Sequence, residues 1–137
     1  MKTTVFLQLN YFTVLFAAIS YFVLGSLWYS PKVFAKKMLQ LNYIRPEGRK
    51  DPTKVALVAF LSSITCALVI DYFICLSNAS TAIAGMSIGI LSALGVMSTT
   101  VGVSFLFEDR KVKLYMNDAG FHLTGFMVMG IILSMWR

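Results

Sequence analysis

Four long apolar runs, very little charge inside them, and a one-sided distribution of lysine and arginine predict an all-α integral membrane protein. It has four transmembrane helices and a short interfacial amphipathic helix after the first. Of 137 residues, 58% are hydrophobic and 13% charged, with a mean hydropathy of +0.75. Soluble domains are about 45–50% apolar and about 25% charged. A bilayer core asks for about 20 apolar residues per helix, and each run meets that length. The expected spans are residues 5–29, 54–76, 82–107 and 114–136, in a single membrane domain over residues 1–137.

The first run opens after Lys2 and is longer than the apolar core of a secretory signal, about 7–15 residues. It also continues past the cleavage-like Ala18–Ser20 pair. A first transmembrane helix is therefore the expectation. Trp28 and Tyr29 close it as interfacial aromatics. Ser30 and Pro31 restart the chain, serine as an N-cap and proline at the first helical position. Phe34, Met38 and Leu41 then share one side of a short segment, with Lys32, Lys36 and Lys37 elsewhere, as in an amphipathic helix lying in the interface.

The second run is interrupted only by Asp71 and leads through a short uncharged turn into the third. Gly85 and Gly89 form a G-x-x-x-G, followed by Ser92, Gly95, Ser98, Thr99, Thr100, Gly102 and Ser104. Such small residues let helices approach closely in lipid. The fourth run holds Asn117, Asp118 and His122. Cys66 and Cys75, about 13 Å apart on one helix, are too distant to bridge within it.

Lysine and arginine in short loops set orientation. Residues 30–53 carry Lys32, Lys36, Lys37, Arg45, Arg49 and Lys50, and residues 108–113 carry Arg110, Lys111 and Lys113. The other side has Lys2 and Arg137. Both basic loops are expected in the cytoplasm and both termini outside, in the inner (plasma) membrane. The net charge of +6 is thus accounted for by orientation and anionic lipid, with no nucleic-acid partner.

Ionisable groups inside a membrane are costly and mark candidate sites. Asp118 and His122 are four apart and share a helix face, the arrangement of a proton-handling pair. A structural reading stands beside it: Arg110, Lys111 or Lys113 meets Asp118, and a serine or threonine of the third span meets His122. Asn117 and Asp71 complete the set, with Asp71 expected near the outer end as an interface-facing cap. One histidine and scattered carboxylates do not make a metal site, and no nucleophile–base motif or phosphate loop is present. No catalytic residue, metal or cofactor is expected.

Gly25-Ser26-Leu27-Trp28-Tyr29-Ser30-Pro31 resembles the G-x-x-W-Y-S-P signature of a family of small bacterial membrane proteins, the domain-of-unknown-function 1761 family. Leu106-Phe107-Glu108-x-Arg110, with Leu114, Asn117, Gly120, Phe121 and His122, is similar to a second stretch of that family. The resemblance implies a four-helix membrane protein and no particular activity. It directs attention to Trp28, Tyr29, Ser30, Glu108 and Arg110 at the cytoplasmic face, where Glu108 and Arg110 are expected to pair at the base of the first span. The expected function is that of a non-enzymatic accessory, partner-binding or lipid-binding protein. A small proton-linked transporter or channel built on Asp118 and His122 is the alternative, and a membrane enzyme on a lipid-like substrate a second. A homo-oligomer, a dimer first, or a larger membrane complex follows from the inability of four spans to enclose a pore alone.

Overall fold

The computed structural model describes residues 8–30, 51–109 and 111–136. The amphipathic segment expected after the first span lies outside them, as does Arg110. Among the described residues there are four helices long and apolar enough to cross a membrane: α1 (Tyr11–Trp28), α2 (Pro52–Ser77), α3 (Ala82–Phe107) and α4 (Val112–Met135). No strand occurs among them.

Helix boundaries follow local chemistry. The apolar run starts at Val5, but Leu9 and Asn10 are non-helical and α1 begins at Tyr11. There the Asn10 side chain accepts a hydrogen bond from the Thr13 amide (3.4 Å), an N-cap that sets the start. Helix α2 starts at Pro52, earlier than the expected Lys54, because Asp51 caps the Thr53 amide (3.0 Å) and proline suits the first turn. It stops at Asn78, whose left-handed φ of 52° lets the Ala79 amide reach back to Ile74 O (3.1 Å). Thr81 caps α3 through the Ala84 amide (3.2 Å). Asp109, with φ of 50°, turns the chain tightly from α3 into α4.

Helix α3 is not α-helical throughout. Ala93–Ser98 is a π-helical stretch between Ala82–Ser92 and Thr99–Phe107. Such a stretch displaces the carbonyl ladder, and the Tyr115 hydroxyl donates to Ser98 O at 2.9 Å. A side chain of α4 therefore serves a carbonyl at the end of the irregular turn.

The helices alternate in direction, with α4 packed against the other three and α3 lying mainly along α4. The core runs from Val14, Ala17, Ala18 and Tyr21 of α1, through Ala67, Ile70 and Ile74 of α2, to Phe121, Phe126, Met129 and Leu133 of α4. Gly85 and Gly89 sit at the α3–α4 crossing: a Cβ at Gly85 would collide with Gly130 O and Ser134, and one at Gly89 with Phe126 O. This small-residue contact lets two backbones nearly touch. At one end of the bundle, Asn10 Nδ2 and Thr13 Oγ1 both donate to Trp136 O (3.5 and 3.3 Å), tying the start of α1 to the end of α4.

Charge is segregated. Asp51, Lys54, Glu108, Asp109, Lys111 and Lys113 all lie at the end where α1 stops, α2 starts and α3 turns into α4. The opposite end has no charged residue among those described. Only Asp71 and Asp118 lie within the helices between.

Candidate functional site: a polar seam between α1 and α4

Antiparallel packing of α1 on α4 places Tyr21 of α1 and its C-cap Tyr29 opposite His122 and Asp118 of α4. The Tyr29 hydroxyl donates to Asp118 Oδ1 at 2.6 Å. The Tyr21 hydroxyl and His122 Nδ1 are joined at 2.6 Å. When the phenol donates, Nδ1 accepts and the proton of a neutral imidazole resides on Nε2, a nitrogen that makes no hydrogen bond to a described residue. Asp118 also acts on His122 electrostatically from one turn away, and the Cys66 thiol of α2 lies within electrostatic reach of the Tyr21 hydroxyl.

Phe121 fills the space between the two hydrogen bonds. Its ring centroid is 5.0 Å from Tyr21, 5.3 Å from Tyr29 and 6.1 Å from Trp28. Two glycines make this possible. A Cβ at Gly125 would strike the Tyr21 ring, and one at Gly25 would stand 3.2 Å from Phe121 Cζ. Trp28 Cζ2 packs over Gly120. The aromatic exit of α1 and the Asn117–His122 stretch of α4 thus form one interlocked seam.

Several expectations change here. Lys111 and Lys113 are exposed. Asp118, only 8% exposed, accepts from Tyr29 of the α1 exit, and the expected partner Arg110 lies outside the described residues. His122 takes Tyr21 rather than a hydroxyl of α3, because α3 packs on a different side of α4. Asp71 is not an interface-facing cap: it is 2% exposed, on the same α2 face as Ala67, Ile70 and Ile74. By position along α2 and α4, Asp71 and His122 are about 10–14 Å apart in depth at about 1.5 Å per residue.

Asn117 is half-buried, and its enclosed Nδ2 donates to no described residue. Ser30 is half-buried just past α1, its amide on Leu27 O (3.2 Å). Glu108 is exposed at the C-cap of α3. The expected Glu108–Arg110 network falls partly outside the described residues. Tyr21 escaped the sequence reading altogether. Its signal was present: a phenol in mid-helix among apolar neighbours needs a buried partner. Among the described residues no three His, Cys, Asp or Glu side chains converge on a metal-sized space. Neither Cys66 nor Cys75 forms a disulfide.

What fold and seam define is a small all-helical bundle of four long apolar helices with one internal polar join. A family model described as protein of unknown function (DUF1761) matches residues 12–134, and the chain belongs to that family. The matched stretch includes both sides of the seam. No curated protein and no solved structure matches the chain.

Proposed function

We propose that the chain is a non-catalytic, multi-pass protein of the inner membrane that works by binding another helix within the bilayer, a second copy of itself first. The observation that carries this reading is the outer surface of α3. This helix is the least buried of the four, 11% against 44% for α4. Past the Gly85–Gly89 crossing it turns Gly95, Thr99, Thr100 and Ser104 outward. Nothing lies within 4 Å of a Cβ built on Gly95. Two of the hydroxyls are satisfied by their own helix, Thr99 Oγ1 on Gly95 O (2.9 Å) and Ser104 Oγ on Thr100 O (3.2 Å). Small residues exposed in this way support close helix association in lipid. The seam supports the same reading, since its two hydrogen bonds lock α1 to α4 and give the bundle a rigid back.

In this reading the charged end faces the cytoplasm, as its lysines favour, and the uncharged end faces out. The test is subunit counting in liposomes at low protein density by single-molecule photobleaching. Two-step bleaching is expected for the wild type and one-step bleaching for Gly95→Leu. A wild type that bleaches in one step at every density would sink the proposal. A second reading, proton-linked transport, is favoured by the uncommitted Nε2 of His122. Proton flux into proteoliposomes that disappears in His122→Ala would put it first.

A further inference from the structure

A groove of about 410 Å³ lies where α3 turns into α4, lined by Gly102, Phe105, Leu106, Asp109, Val112 and Tyr115. We infer that it is the docking site of the chain's own segment 31–41, with Phe34, Met38 and Leu41 turned into it. The inference goes beyond helix pairing through α3 and does not depend on it.

The build of the groove comes first. Its floor is apolar and firmly held. Phe105 is 8% exposed, and Tyr115 is fixed at both ends, its hydroxyl on Ser98 O (2.9 Å) and its ring edge-on to Phe105 at 5.7 Å. Its apolar rim is uncovered among the described residues: Leu106 is 83% exposed and Val112 73%. These two side chains stand at the charged end of the bundle, where burying apolar surface away from water is favourable.

The path of the chain selects the occupant. Tyr29, the C-cap of α1, packs against the cluster of Phe105 and Leu114, beside Tyr115. Phe105 and Tyr115 are also groove residues. The chain therefore reaches Ser30, where the described stretch stops, close to the groove wall. It resumes at Asp51, the N-cap of α2, at the same end of the bundle. Helices α1 and α2 pack on each other, and packed helices lie about 8–10 Å apart. A handful of extended residues, at about 3.3 Å each, would bridge that distance. The sequence places 20 residues there, 31–50. The surplus is tethered next to the groove. A short flexible tether sets a local concentration of about millimolar, which places this segment ahead of a free partner or a second copy.

The segment's own pattern fits the site. Phe34, Met38 and Leu41 recur at i, i+4 and i+7, one face of a helix, and Lys36 falls on the opposite face. Anchors at that spacing are how an apolar helix face enters a groove. Residues 31–41 carry Lys32, Lys36 and Lys37 and no acid. The one charge in the lining is the carboxylate of Asp109, opposite in sign to all three.

The experiment is disulfide cross-linking of the whole chain in liposomes at low protein density, in a background with Cys66 and Cys75 replaced by alanine. Met38→Cys with Leu106→Cys should close a bond within one chain about tenfold faster than Lys36→Cys with Leu106→Cys, because only a side chain turned into the groove comes within bridging distance. Phe34→Cys with Val112→Cys, measured against Lys36→Cys with Val112→Cys, is an independent second pair. Leu106 and Val112 are exposed, so their replacement leaves the packed core untouched. Faster closure from the Phe34–Met38 face in at least one pair is the result expected. Equal rates from both faces in both pairs would overturn the inference. So would the absence of any bond, the outcome if lipid chains fill the groove. A bond between two chains instead of within one would overturn it as well, giving the groove to a second copy. The same rates are expected in Gly95→Leu, so a failure of pairing through α3 is read separately from a failure of docking.

Discussion

Tyr29 and Tyr21 each hold an ionisable group of α4, and the two hydrogen bonds differ in consequence. Removing the Tyr29 hydroxyl leaves a carboxylate that is almost fully enclosed. A hydrogen bond to a charged group contributes about 1.5–3 kcal/mol, more than one between neutral groups, and removing both partners costs less than removing one. Tyr29→Phe should therefore lower the melting temperature in detergent more than Tyr21→Phe, and Asp118→Leu added to Tyr29→Phe should restore part of the loss. Equal melting of Tyr29→Phe and wild type would mean that Asp118 does not depend on this bond. At this scale the sequence was half legible. Asp118 and His122 stand out as polar residues in an apolar run, and their four-residue spacing does put them on one face. Their partners did not stand out. Tyrosine reads as apolar in any hydropathy profile, and which helix faces α4 is decided by packing far away in the chain. Asp71 was misplaced for a related reason: depth can be counted along a helix, but the direction a single charge faces depends on the neighbours it meets.

Among elements, the α3–α4 pair carries the clearest contrast. Gly85 and Gly95 are both small residues of one helix, and spacing alone makes them equivalent. In the fold, a side chain at Gly85 meets the backbone of Gly130, while one at Gly95 meets nothing. Gly85→Leu should force α3 off α4 and cost at least the 1–3 kcal/mol typical of overpacking. Gly95→Leu should leave stability within about 0.5 kcal/mol of wild type, as for other surface changes. Thermal denaturation of both variants in the same detergent measures the difference, and similar losses would mean that the crossing lies elsewhere on α3. The G-x-x-x-G pair was readable as a packing motif, though not which helix it packs against. The π-helical turn was not readable, since no residue type demands it. It is stabilised by a tyrosine of the next helix.

For the whole molecule, helix number was the most legible property, because four apolar runs of bilayer length leave few other arrangements. Boundaries shifted by a few residues wherever a capping side chain intervened, as at Asn10 and Asp51. The segregation of charge to one end gives the topology a direct test. In cells, Thr81→Cys should react with an impermeant maleimide from outside, and Lys111→Cys only after permeabilisation, in a background with Cys66 and Cys75 replaced by alanine. The reverse pattern would invert the orientation. The amphipathic segment after α1 lies beyond what the structure describes, so that expectation stays with the sequence.

Helix α4 packs against all three others and supplies the partners of Tyr21, Tyr29, Gly85 and Gly89. It is also the last of the four to leave the ribosome. Until it arrives, α3 lacks its principal neighbour and α1 carries two phenols with no acceptor from α4. The first three helices are then an unfinished set, with α1 packed on α2 but α3 without its main support. Biogenesis of this bundle is accordingly a single late event: closure on α4 completes the seam and the glycine crossing together. A polypeptide stalled before Val112 should be cleared by proteolysis rather than persist as a smaller stable bundle.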